Sequence, residues 1–354
     1  MAPVLRELAR HPDRCRSVLV STGQHREMLE QVFRLFSLRP DVELNLMRPN
    51  QTLAQLTGDL FHTLDAVVRD QRPDWILAQG DTTTVMVASL VAFYLRIPFG
   101  HVEAGLRTGD FEKPFPEEMN RRIADLSASA YFAPTARSAA ALRSEGVPAG
   151  RIHETGNTVV DALLQVAAMP FDRAGSPFAA VPADAPMVLV TAHRRESFGE
   201  PFRELCRAIR DLAELGRPDG VHVVFPVHLN PNVRAPVHDV LAGLPNVHLL
   251  EPFDYVNMVH AMRLARLILT DSGGVQEEAP SFGVPVLVMR DTTERPEGVE
   301  AGVVTLVGTD RARIVDGARA ELSKPRKFGG IRNPYGDGHA AERIVSVLLG
   351  TAAP

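Results

Sequence analysis

The chain has 354 residues and a formal net charge of −5. That length suits two domains of ordinary size, and a mildly acidic balance without a basic stripe excludes a nucleic-acid footprint. Cys15 and Cys206 lie far apart and outside any CxxC pair, which speaks against a disulfide scaffold or a zinc site and fits a reducing, cytoplasmic location.

The N-terminus, Met1-Ala-Pro-Val-Leu-Arg-Glu, carries no basic-then-apolar signal pattern. A helix is expected over Val4–Arg10, with Pro3 in a favoured first-turn position. Strands follow at Val18–Ser21, Trp75–Ala78, Phe99–Val102 and Ala130–Phe132, with helices between them at Thr84–Leu95 and Thr135–Glu145. The apolar run Val85–Leu95 is too short to span a bilayer and reads as a buried helix, so no membrane association is expected. Residues 169–186 collect Pro, Ala and Gly without any period and read as a linker. Strands resume at Val188–Val190, Val221–Phe225, Val247–Leu250, Leu267–Leu269, Val286–Val288 and Val303–Leu306. Strand–helix alternation means crossover units and parallel sheets. The fold class is therefore α/β: two successive Rossmann-like, doubly wound domains, with a ligand cleft expected between them. A doubly wound domain normally opens on a strand, and this one opens on a helix.

Polar clusters stand where apolar strands end, the place where open α/β sheets bind ligands. The most informative is Thr270-Asp-Ser-Gly-Gly-Val-Gln-Glu-Glu278, a strand end, a glycine turn and a helix start. Free N–H groups and the positive dipole end favour a bound phosphate there. Gly273 and Gly274 let the backbone approach it, Ser272 opens the turn, and the Glu278 carboxylate is placed to grip ribose hydroxyls. The same spacing also serves an ordinary strand–helix turn. Asp81 in Gly80-Asp-Thr-Thr-Thr84, Glu103 in His101-Val-Glu-Ala-Gly-Leu-Arg107 and Glu117 in Pro114-Phe-Pro-Glu-Glu118 are candidate acids and bases. Each also has a structural use: Asp81 as a helix N-cap, Glu103 as one half of an ion pair, Glu117 at a helix start. His193-Arg194-Arg195 offers forked donors for a diphosphate, or a surface cluster paired with Glu196. Arg295 follows the Val286–Val288 strand and points to the expected cleft. HExxH and GxGxxG are both missing from the sequence, so neither a metal nor a nicotinamide is expected.

The ordered set of motifs closely resembles the non-hydrolysing bacterial UDP-N-acetylglucosamine 2-epimerases. It runs through Gly23-Gln-His-Arg-Glu27, Gly80-Asp-Thr-Thr-Thr84, His101-Val-Glu-Ala-Gly-Leu-Arg-Thr108, Phe115-Pro-Glu-Glu-Met-Asn-Arg121, Thr155-Gly-Asn-Thr158, His193-Arg-Arg-Glu-Ser197, Pro226-Val-His-Leu-Asn-Pro231, Thr270-Asp-Ser-Gly-Gly274 and Asp291-Thr-Thr-Glu-Arg-Pro-Glu297. The resemblance implies the GT-B fold and a homodimer. It divides the chain into a first domain, 1–168, to which 339–354 return, and a UDP-binding domain, 169–338. It implies interconversion of UDP-GlcNAc and UDP-ManNAc: the C2 proton leaves, UDP is eliminated to give 2-acetamidoglucal, and UDP adds back with inversion at C2, with no cofactor required. Under it Asp81, Glu103 and Glu117 are the acid/base carboxylates, and His193 stands near the diphosphate. Ser272, Gly273 and Gly274 form the phosphate turn, Glu278 contacts the ribose, and Arg295 contacts the substrate. Gln24, Gln51, Arg194 and His228 match a second, regulatory substrate site. Relatives carry a strand and a Gly-Thr-Arg-Pro-Glu turn ahead of the segment aligned with Met1–Leu5, so a strand and two cations are expected to be missing here. A related UDP-diacetamido uronic acid epimerase, and an inactive nucleotide-sugar binding protein, are the alternatives.

Overall fold

In a computed structural model of the chain, residues 1–23, 26–215, 220–325 and 332–351 are described. Twelve strands run along them: β1 Val20–Ser21, β2 Val42–Glu43, β3 Ile76–Gln79, β4 Phe99–Val102, β5 Ala130–Ala133, β6 Ile152–Glu154, β7 Met187–Thr191, β8 His222–Pro226, β9 Val247–Leu250, β10 Leu267–Thr270, β11 Val286–Val288 and β12 Val304–Leu306. All the strand pairings are parallel. The chain divides into unit 1, Met1–Ala162 with Gly338–Pro354, and unit 2, Leu163–Asp337.

Unit 1 holds a four-stranded sheet in the order β3-β4-β5-β6 and a separate pair, β1-β2. Strands β4 and β5 are buried along their whole length, which is why they read as unbroken apolar runs. The helix Leu53–Gln71 starts at a capping box, with Thr52 and Gln55 satisfying each other's backbone N–H groups. Leu56, Leu60, Leu64 and Val68, at four-residue spacing, form its buried stripe. Helix Thr83–Leu95 has almost no polar face because it packs between Leu53–Gln71 and Glu117–Ser127. The first helix, Ala2–Leu8, packs on the last, Ala340–Leu348, and Val4, Val102, Phe132, Ala341, Ile344 and Val345 share one apolar cluster. The Asp161 carboxylate accepts the N–H groups of Ala340 and Ala341, at 3.2 and 2.8 Å, and so caps that last helix.

Unit 2 is one six-stranded sheet in the order β12-β11-β10-β7-β8-β9. Strand order reverses between β7 and β10, so the crevice at their carboxyl ends is the topological switch point. The segment 169–186 is irregular, as its composition implies, but it is no free hinge. Phe178 and Val181 are buried, and Phe171 stacks on Phe178 and on His260. The chain therefore leaves unit 1 earlier, within the helix Thr158–Ala167.

Candidate active site

In unit 1 the carboxylates gather where β3 and β4 end. Gly80 turns the chain with φ at +83°, a conformation that suits glycine, and Asp81 follows. Asp81 does not cap the next helix, whose N-cap is Thr82 without a side-chain bond. Its carboxylate is gripped instead by the Arg121 guanidinium, and its carbonyl accepts Asn120 Nδ2 at 2.9 Å. Both partners lie on the helix Glu117–Ser127, so the Asp81 turn docks on that helix one turn beyond Glu117. Glu103 stands just past β4 with φ at +69°. That is uncommon for a side-chain-bearing residue and costs on the order of 1–3 kcal/mol. The turn is held because the N–H groups of Glu103 and Ala104 both donate to Phe132 O, at 3.0 and 3.1 Å. The Glu103 carboxylate receives Gln79 Nε2 and Asn157 Nδ2, each at 3.5 Å. A Cβ built on Gly80 would lie 3.6 Å from Glu103 Oε2, which places that oxygen over the turn carrying Asp81. Glu117 opens its helix, and its Oε2 is buried without a hydrogen-bond partner. A buried carboxylate oxygen left unpaired is costly and is a frequent mark of function.

In unit 2 the turn after β7 meets the turn after β10. Thr191 and Thr270 share a hydroxyl hydrogen bond of 2.6 Å at the two strand ends. Asp271, 1 % exposed, accepts the N–H groups of His193 and Arg194 on one oxygen, at 2.7 and 2.8 Å. Its other oxygen is buried without a hydrogen-bond partner and lies 3.5 Å from His193 Nδ1. The His193 ring stacks on His228, with centroids 5.4 Å apart. Burial first, then the neighbouring His228 and Arg194, hold its pKa below the ordinary histidine value despite Asp271.

The helix Gly273–Glu278 starts at Ser272 with no side-chain cap. Neither Gly273 nor Gly274 has a positive φ, so these glycines supply room rather than an unusual backbone. A Cβ at Gly273 would lie 3.8 Å from Arg194 Nη2 and 3.8 Å from Arg295 Cζ, so two guanidinium groups flank the glycine. Arg194 Nε is buried without a partner, while Arg295 Nε donates to Glu277 at 2.5 Å. Two cations beside open helix N–H groups make an anion cradle. Glu278, 8 % exposed, accepts the Tyr255 hydroxyl at 2.8 Å. Burial pushes its pKa up to about 7, partly offset by the Tyr255 bond and reinforced by Glu277.

The chain matches the family model for UDP-N-acetylglucosamine 2-epimerase over residues 6–349. It is 50 % identical to the UDP-N-acetylglucosamine 2-epimerase of Escherichia coli K12, covering 98 % of this chain and 94 % of that one. The Bacillus subtilis enzyme of that name is 46 % identical, covering 99 % and 91 %. A crystal structure of UDP-GlcNAc 2-epimerase from Neisseria meningitidis bound to UDP-GlcNAc is similar at 43 % identity and a TM-score of 0.86, covering 99 % of this chain and 96 % of that one. The chain belongs to the UDP-N-acetylglucosamine 2-epimerase family. Its fold is the GT-B-like α/β class, with parallel sheets in separate units.

Against that family, the structure sorts the expected residues by unit. Asp81, Glu103 and Glu117 gather in unit 1, while His193, Ser272, Gly273, Gly274, Glu278 and Arg295 lie at the switch-point crevice of unit 2. Of the residues matched to a regulatory site, Arg194 and His228 lie beside His193. Gln51 is in unit 1, donating to Asp59 at 2.9 Å, and Gln24 lies outside the described residues. Asp271, Arg121, Asn120 and Tyr255 are not among the residues expected from sequence, although the first three sit inside the motifs already quoted. Among the described residues no set of three or more His, Cys, Asp or Glu is placed to hold a metal, and no helix is long and apolar enough to cross a membrane.

Proposed function

We propose that this chain interconverts UDP-N-acetylglucosamine and UDP-N-acetylmannosamine by eliminating and re-adding UDP. One carboxylate takes the proton from C2 as the C1–oxygen bond to UDP breaks, giving 2-acetamidoglucal and UDP. The C1–oxygen bond then re-forms, and a proton reaches C2 on the opposite face. Atoms and charge balance without any other reactant. The carrying observation is the carboxylate set of unit 1: Asp81 fixed by Arg121, Glu103 held in a strained turn, and Glu117 with an unpaired buried oxygen. Such groups are preorganised for proton transfer. The unit 2 cradle formed by Arg194, Arg295 and Ser272–Gly274 supports a diphosphate leaving group, and Glu278 supports a ribose contact. Exposed Phe93, Tyr94 and Leu126 on unit 1 helices support the homodimer reading, which light scattering tests.

The test is turnover of UDP-N-acetylglucosamine in D2O. UDP-N-acetylmannosamine carrying deuterium at C2 is expected. Product without deuterium, or no product at all, refutes the scheme.

A further inference from the structure

His101, on β4, has no exposure to solvent. Its Nε2 lies 2.8 Å from the Gly80 carbonyl oxygen, which can only accept. Nε2 therefore carries a proton. Its Nδ1 lies 2.6 Å from Asp125 Oδ1. The other Asp125 oxygen accepts Arg107 Nη2 at 2.7 Å and the Gly105 N–H at 3.2 Å. A carboxylate so loaded with donors stays ionised, so Nδ1 must donate as well. Both ring nitrogens face acceptors, and the ring that satisfies both is the imidazolium.

This contact belongs to a closed circuit. Asp125 binds Arg107, Arg107 binds Glu145, and Glu145 binds Arg122. Arg122 binds Glu118, Glu118 binds Arg121, and Arg121 binds Asp81. Asp81 follows Gly80, whose carbonyl returns the circuit to His101. Every carboxylate in the circuit faces at least one arginine. Asp81 is thus fixed through the preceding carbonyl by His101, through its own carbonyl by Asn120, and through its carboxylate by Arg121.

We propose that His101 is a permanently protonated positioning residue, whose imidazolium clamps the Gly80 turn and so aims the Asp81 carboxylate at the substrate. The part about aim rests on the acid/base reading of Asp81 above. A neutral ring would turn a lone pair toward Asp125 or toward the Gly80 carbonyl at under 3 Å, and the turn would shift. Burial alone would favour the neutral ring, but Asp125, the Gly80 carbonyl and Glu103 outweigh it and raise the pKa. In turn, burial would push the Asp125 carboxyl up, and His101 with Arg107 hold it below the usual range. A misplacement of about 1 Å near a reacting centre can cost on the order of a hundredfold in rate.

The test uses the full chain with 15N-labelled histidine, and the variants Asp125→Asn, His101→Gln and the two together. Both His101 ring nitrogens are expected to be protonated, with shifts flat from about pH 6 to about pH 9, and to titrate in that range in Asp125→Asn. A neutral tautomer in the parent overturns the proposal. In kinetics each single variant is expected to lower kcat roughly tenfold to a hundredfold, with KM for UDP-GlcNAc nearly unchanged, and the double variant to be no worse than the worse single. Unchanged kcat with a lowered Tm marks a merely structural pair and overturns it, as do additive effects. A crystal structure of Asp125→Asn decides the positioning half without activity: the Gly80–Asp81 turn is expected to move, and an unmoved turn overturns it. A parent inactive on UDP-GlcNAc refutes the reaction scheme alone, because the spectroscopic and crystallographic outcomes still decide the clamp.

Discussion

Replacing Glu278 by glutamine should make the protein more stable above neutral pH and worse at holding UDP. Glu278 is 8 % exposed and sits beside a second carboxylate, Glu277. Its pKa rises from 4.5 to about 7 on folding. At 1.36 kcal/mol per unit, that is a native-state penalty of about 3 kcal/mol once the group is ionised in both states. The sign follows from the order of ionisation. Below about pH 4.5 the group is protonated folded and unfolded, and it costs nothing. Between about 4.5 and 7 the unfolded chain loses its proton first, so stability falls as pH rises; above about 7 the penalty is constant. Glutamine keeps an acceptor for the Tyr255 hydroxyl and has no charge to bury. The expected result is a stability gain for Glu278→Gln that is absent near pH 4, grows toward pH 7, and levels off at a few kcal/mol. Denaturant unfolding at several pH values measures it. A gain that does not depend on pH refutes the argument from burial. Calorimetry with UDP tests the other half: the neutral amide is a poorer acceptor for ribose hydroxyls, so affinity should fall, and unchanged affinity removes Glu278 from the ribose site. With affinity lowered and stability raised in the variant, the native residue exchanges stability for binding.

Asp81→Asn, Glu103→Gln and Glu117→Gln should each lower turnover by roughly a hundredfold or more while UDP binding survives, and loss of UDP affinity instead would recast them as binding groups. Arg194→Ala should weaken UDP binding by roughly 1.5–3 kcal/mol, the worth of a charge-assisted hydrogen bond, and by less in high salt, as read by calorimetry. Glu103→Gly removes both the carboxylate and the strained φ, so it should abolish turnover while leaving Tm equal or higher; a drop of several degrees would show that the side chain holds the turn.

How much of this was readable in the sequence depended on burial. Strands β4, β5, β7 and β10 are buried throughout and announce themselves as apolar runs. Strands β2 and β6, of two and three residues with partly exposed faces, carry no such run and leave no signal in the sequence. The linker composition of 169–186 was real, but composition does not reveal that Phe178 is buried there. Candidate carboxylates were legible because they sit in short motifs at strand ends. Their partners were not, because Arg121 lies 40 residues from Asp81 and Tyr255 lies 23 residues from Glu278. Those contacts exist only once parallel crossovers bring the elements side by side.

The case of Asp271 separates what a motif states from what topology adds. Its place after an apolar strand and before two glycines marks a turn at a helix start, and this much follows from local spacing. Its use follows from the order of the sheet. Because β10 pairs directly with β7, the turn after β10 faces the turn after β7, although His193 lies 78 residues away. Asp271 can therefore hold the backbone of His193 and Arg194 with one oxygen and face the His193 ring with the other. The same carboxylate thus sets two things at once: the direction in which Arg194 reaches Gly273, and the orientation of the His193 ring. A switch point provides the crevice in any doubly wound sheet. Here one buried aspartate converts that crevice into a cradle with fixed donors, and the need for it becomes visible only when strand order is known.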